Sequence, residues 1–154
     1  MATTIAGETY LGEELVSSLS QSGDVTMYLW PMRCLKSKIG GPTFGIDVNG
    51  EEIIRFDCHG APGHWHDRGY DKYGAGGSHV DFPEGMEDEQ EQIVWALTQI
   101  QEKGQQLLET AEHSSAASSL DSGMVQAAAD AITAHLEKSG DLRSQAVSQG
   151  LLNA

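Results

Sequence analysis

The chain has 154 residues, 39% of them hydrophobic and 21% charged, with a formal net charge of −14. That length suits one domain with one modest core, and the acidic balance counts against non-specific binding of nucleic acid, whose phosphates require a positive field. Two irregularly spaced cysteines, Cys34 and Cys58, exclude a disulfide framework and point to a reducing compartment. The N-terminus has no basic or apolar leader pattern, and no apolar run approaches the roughly 18 residues of a membrane helix, so the expectation is a cytoplasmic protein without a membrane partner.

Residues 1–23 are polar at both ends, with Leu11, Leu15 and Leu19 spaced as the stripe of a short helix. Asp24–Lys36 (DVTMYLWPMRCLK) is rich in large apolar and β-branched residues and predicts a strand buried on both sides, with Pro31 at an edge or a bend. Gly40-Gly41-Pro42 reads as a breaker. Thr43–Cys58 then predicts a hairpin at Asn49-Gly50. A three-residue loop, Val48-Asn49-Gly50, puts Phe44, Ile46, Ile54, Phe56 and Cys58 on one apolar face and leaves Arg55 and Asp57, with His59 just beyond, on the other.

Gly60–Gly77 holds six of the 18 glycines and reads as a long ordered loop. Val80-Asp81-Phe82 predicts a short returning strand. From about Met86 to Glu112, the apolar residues Ile93, Leu97, Ile100, Leu107 and Leu108 recur at helical spacing behind an acidic first turn, and Gly104 weakens the middle. A second helix, about Ser122–Lys138, follows the polar stretch His113–Ser119, capped by Asp121 or Ser122 and closed by Gly140. Its stripe is narrow and rich in alanine.

These elements predict an α+β fold. A small antiparallel sheet of three or four strands, a hairpin or meander, is covered by the long amphipathic helix, with a loosely attached C-terminal helix. Residues 1–112 form the α+β domain with a His/Gly-rich loop at 57–81, residues 113–121 a linker, and residues 122–154 a C-terminal helical segment.

Four of the six histidines fall between positions 59 and 79, and imidazole can carry protons or ligate a metal near neutral pH. Charge is uneven around them. Residues 1–82 carry 6 Lys/Arg against 11 Asp/Glu and residues 83–154 carry 3 against 12, whereas Arg33–Lys72 is balanced at 6 against 6. In an extended His64-Trp65-His66 both imidazoles share a side while Trp65 turns inward. With a third ligand from His59, Asp67, His79 or Asp81, they would make a three-ligand site for a divalent transition metal; His64, His66 and His79 are the metal set. Without a metal, the same imidazoles would be base and acid, with Arg55, Arg68 or Lys72 stabilising negative charge. The catalytic set is then His64, His66, Arg55, Asp57 and His59. Cys58, on the apolar face, is a buried thiol rather than a nucleophile for His59.

The order of a hairpin, Arg55-Phe56-Asp57-x-His59, a Gly/Pro loop with His64-x-His66, a last histidine before a strand, and an amphipathic helix resembles the TumE-type toxin family of bacterial toxin–antitoxin systems over residues 24–112. The resemblance implies a small α+β, RNA-directed toxin held by an antitoxin, with Arg55, Asp57, His64 and His66 as its site. This chain departs from the pattern in its longer C-terminus, the glycine-rich stretch 69–77 and its acidity. Two other functional classes stand beside it: a metal-binding protein, and an acidic binding or inhibitor protein whose Glu84–Glu91 stretch engages a basic partner. The partners expected are an antitoxin-like or basic protein, RNA, or a second copy meeting at the C-terminal helix.

Overall fold

A computed structural model describes residues 7–61 and 63–154, with the backbone alone at residues 70, 71, 74 and 75. Among the described residues, β1 (Glu8–Leu11), β2 (Leu15–Ser18), β3 (Val25–Leu35), β4 (Ile39–Val48), β5 (Glu51–Asp57), β6 (His64–His66) and β7 (His79–Asp81) form one antiparallel sheet. The order is β1-β3-β4-β5-β6-β7, with β2 also on β3. The helices are α1 (Tyr70–Gly77), α2 (Glu89–Thr110), α3 (Ser114–Ser119), α4 (Ser122–Ser139) and α5 (Leu142–Ser148). The class is therefore α+β, with more strands than the apolar runs alone suggest.

Where a short helix was expected around Leu11, Leu15 and Leu19, residues 8–11 and 15–18 are strands that pair with successive halves of β3; residues 1–6 lie outside the described set. Pro31 falls between those two stretches of pairing, at a register shift between Trp30 and Arg33, so the missing N–H interrupts no ladder. The extra residue also reverses parity. Val25, Met27 and Leu29 face the main core, whereas Met32 and Cys34 pack with Leu142, Ala146 and Leu152 in a second, smaller core. The Gly40-Gly41-Pro42 breaker is instead part of β4, where Pro42 O accepts from Cys58 N at 3.0 Å.

The β4–β5 turn has two residues, not three. Val48 pairs with Glu51, and Asn49 and Gly50 both take positive φ, at 51° and 82°, the type I′ geometry that suits Asn-Gly. Parity is then rescued by a bulge. Asp47 pairs with Glu52 but Ile46 pairs with Ile54, so Ile53 is the additional residue. Beyond it Phe44 and Phe56 share the core face, and Thr43 and Asp57 the other.

The long loop expected over Gly60–Gly77 contains β6 and α1. α2 is N-capped by Asp88, whose carboxylate accepts from Glu91 N, and it bends at Lys103, beside Gly104. The segment after residue 112 is integrated, not appended. The stretch expected as a linker forms α3 and buries Ala116 and Ala117, and α4 places Val125, Ala128, Ala129 and Ile132 in the main core. Asp121 and Gly140 bound α4 as expected. Small residues allow close approach, so a narrow alanine stripe is enough to dock it.

Gly45 lies where the bulge crowds β4 against β5: a Cβ there would sit 2.0 Å from Ile54 O and 3.0 Å from the Tyr28 hydroxyl. Gly45→Ala is expected to lower stability by about 3 kcal/mol, the upper end of overpacking effects, in urea unfolding. A loss below about 0.5 kcal/mol, the range of neutral surface changes, would contradict this packing.

Candidate metal centre

Cross-strand register builds the site. Tyr28, Gly45, Arg55, His66 and His79 lie in one row across β3–β7, and Trp30, Thr43, Asp57, His64 and Asp81 in the next. Between them runs the apolar row Leu29, Phe44, Phe56, Trp65 and Val80 on the opposite face. Trp65 turns inward, stacked on Phe56 with centroids 5.1 Å apart and planes 13° apart, while Trp95 of α2 meets it edge-on at 5.9 Å. The two histidines of His64-x-His66 therefore ride on a strand anchored from behind.

Asp57 is the hub of the polar face. Its Oδ2 lies 3.2 Å from His64 Nε2 and 3.3 Å from His66 Nε2. Its Oδ1 accepts from Thr43 Oγ1 at 3.0 Å and from Arg33 Nη1 at 3.4 Å. Asp57 is 2% exposed, His66 1% and His64 29%, so one edge of the cluster reaches solvent. One donor atom from each of Asp57, His64 and His66 lies within 4.8 Å of the other two. Burial alone would raise the Asp57 pKa, but the bonds from His64 and His66 and the Arg55 guanidinium outweigh it and hold the carboxyl well below its ordinary range.

A second layer fixes these groups. His66 Nδ1 lies 3.2 Å from Ser78 Oγ, and with Nε2 turned to Asp57 the hydroxyl is the natural donor to a neutral ring. Burial lowers the His66 pKa, with Asp57 opposing. His59 is buried and reaches Thr43 Oγ1 through Nε2 at 3.1 Å, behind the hydroxyl that serves Asp57. Arg33 also pairs with Glu8 of β1, so the edge strand is tied to Asp57 through one guanidinium.

Of the expected residues, Asp57, His64 and His66 come together, and His59 stands behind Thr43, two hydrogen bonds from Asp57. Arg55, expected to stabilise charge on a substrate, is 0% exposed and paired with Glu52 at 2.7 Å, so it faces the interior. His79, expected as the third metal ligand, bonds Asp81 at 2.8 Å, and its ring lies over that of His64 with centroids 4.7 Å apart and planes 24° apart. A ligating imidazole holds the metal in its own plane, and two nearly parallel stacked planes share no nearby point. The His64 and His66 rings are at 89°, so theirs do. The donor atom that clusters with theirs is that of Asp57, which the sequence reading places in the catalytic set as the group that orients the histidines. Arg33, Thr43 and Ser78 were missed, and only the parity of Thr43 with Asp57 signalled any of them. Cys58 is buried, as expected, and burial pushes its thiol pKa up.

Residues 40–136 match a family described as a domain of unknown function, DUF7700. The chain belongs to the DUF7700 family. No curated protein and no solved structure matches it. The DUF7700 segment spans β4 to β7 and most of α4, and so carries Thr43, Asp57, His59, His64, His66 and Ser78. Glu8 and Arg33, which support Asp57 from the far side, come from the strands before it.

Burial pushes the His59 pKa down to about 4, with Asp57 partly opposing. In the unfolded chain a histidine titrates near 6.5, so the unfolded state binds the proton first as pH falls. The stability gained from a neutral His59 is complete above about pH 6.5 and is lost progressively towards pH 4. His59→Gln is expected to reduce the slope of stability against pH in this window by up to about 1.4 kcal/mol per pH unit, read from urea midpoints. Equal slopes would show that His59 does not titrate this way.

Proposed function

We propose that this chain is a metal-binding protein in which Asp57 Oδ2, His64 Nε2 and His66 Nε2 hold one divalent transition-metal ion. The pair of distances around Asp57 Oδ2 carries the reading. At 3.2 and 3.3 Å they are long for charge-assisted N–H···O bonds, which cluster near 2.7–2.9 Å. They match two of the edges of about 3.3 Å between ligand atoms of a tetrahedral centre with bonds of about 2.0–2.1 Å, and all three donor atoms lie within 4.8 Å of one another. Supporting groups are in place: with Nε2 on the ion, His66 Nδ1–H would donate to Ser78 Oγ, and Thr43 and Arg33 hold the distal carboxylate oxygen.

Two imidazoles and one carboxylate suit zinc, iron(II), manganese or their neighbours. Three protein ligands leave a position for water or a substrate, the mark of a reactive rather than a purely structural zinc centre, and the half-buried His64 marks its approach. An ion there would polarise a bound oxygen or supply hydroxide at neutral pH. A metal-free acid–base pair acting on RNA fits less well, because His66 and Arg55 are both closed off from a phosphate.

The test is direct. At metal concentrations about 100 times Kd, binding to the folded state alone adds about 2.7 kcal/mol, a rise in Tm of roughly 5–10 °C for a domain of this size. Zinc, cobalt(II), nickel and manganese are screened against metal-stripped protein. Asp57→Asn and His66→Ala are each expected to abolish the shift and leave the protein without stoichiometric metal. No shift and no bound metal in the wild type, or full binding by both variants, would end this reading.

A further inference from the structure

Gly60 and Gly63 lie between the two ligand-bearing strands, and both are met from outside the sheet by one side chain. Gln92, on α2, is 1% exposed. Its Oε1 accepts from Gly60 N at 3.0 Å, and its Nε2 donates to Gly60 O and to Met86 O, each at 3.0 Å. The amide thus pairs with both main-chain groups of one residue, as a neighbouring strand would, and its second N–H is used as well. Gly60 O also accepts from the N–H of Gly63, the residue before His64. A Cβ on Gly63 would lie 2.6 and 2.8 Å from the two polar atoms of the Gln92 amide, so the backbone before His64 rests directly on it.

Resting on the metal-binding reading above, we infer that Gln92 is a positioning residue for the metal centre and sets where His64 stands relative to Asp57. Asp57 and His66 are buried and braced by Thr43, Arg33 and Ser78. His64 is the more exposed member, at the start of a three-residue strand. Its backbone is located by pairing with Asp57 and Asp81 and by the glycines that Gln92 grips. Loss of the clamp frees Gly60 and Gly63 and with them the third ligand, while Asp57 and His66 keep their supports.

The experiment uses full-length protein loaded with cobalt(II), read by competition for Kd and by its visible absorption bands, which report coordination. Gln92→Leu removes every polar contact. Gln92→Glu keeps the shape and the acceptor for Gly60 N, and serves if the leucine variant does not fold. Ile93→Ala, a core truncation on the same helix, controls for general loss of stability. Gln92→Leu is expected to weaken cobalt binding roughly 10- to 100-fold and to give the spectrum of His64→Ala. Gln92→Glu should move the same way, while Ile93→Ala keeps the wild-type spectrum and affinity despite a lower Tm. If the wild type binds cobalt and the folded Gln92 variants match it in spectrum and within about twofold in Kd, or if Ile93→Ala changes both equally, the positioning role is overturned and the metal site stands. If the wild type binds no cobalt, both readings fall.

Discussion

One extra residue in β5 decides which charged groups of this chain meet. In a regular strand residues three apart point to opposite faces, yet Glu52 and Arg55 form a buried ion pair at 2.7 Å. The bulge at Ile53 makes this geometry available, because it turns Glu52 and Arg55 to the same side while Ile53 and Ile54 both enter the core. Taking either charge out of water alone would cost several kcal/mol. The bulge therefore brings in both charges together, and it leaves Asp57 in the row that meets His64.

The sheet consequently has two unlike faces. One is an ordinary apolar layer, where Phe56 and Trp65 pack against each other and against Trp95 of α2. The other is a buried polar layer tied together by ion pairs: Arg33 with Glu8 and Asp57, Arg55 with Glu52. Such a layer is held to one arrangement, since a displaced member would strand a charge without solvent. Three donor atoms are held close together on strands of that layer, and the proposed metal coordination would need placement of this kind in advance.

Much of this was legible in the chain, for local reasons. The strand at Asp24–Lys36, the hairpin at Asn49-Gly50, the long helix and the caps at Asp121 and Gly140 all follow from residue period and turn chemistry. The inward Trp65 between two outward histidines follows from alternation alone. Elsewhere the local pattern misleads. Leu11, Leu15 and Leu19 have helical spacing, but they lie in two short strands and just beyond, where β3 offers backbone partners that a helix would have forgone. The Gly/Pro composition of 60–77 hid β6, because three residues are too few for any periodicity. For α4, alanine understated docking, since close approach substitutes for bulk.

The sequence by itself thus determined the class of fold, the neighbourhood of the site and the shared side of His64 and His66, all of which depend on spacing along the chain. Tertiary structure alone decided that the donor atom clustering with those of His64 and His66 is that of Asp57, that Arg55 is turned to Glu52, and that Gln92 reaches the backbone before His64. Those outcomes depend on the register of strands far apart in sequence, on one inserted residue and on the planes of rings. None of these leaves a periodic trace, because each is set by packing across the sheet rather than by the order of residues along a strand.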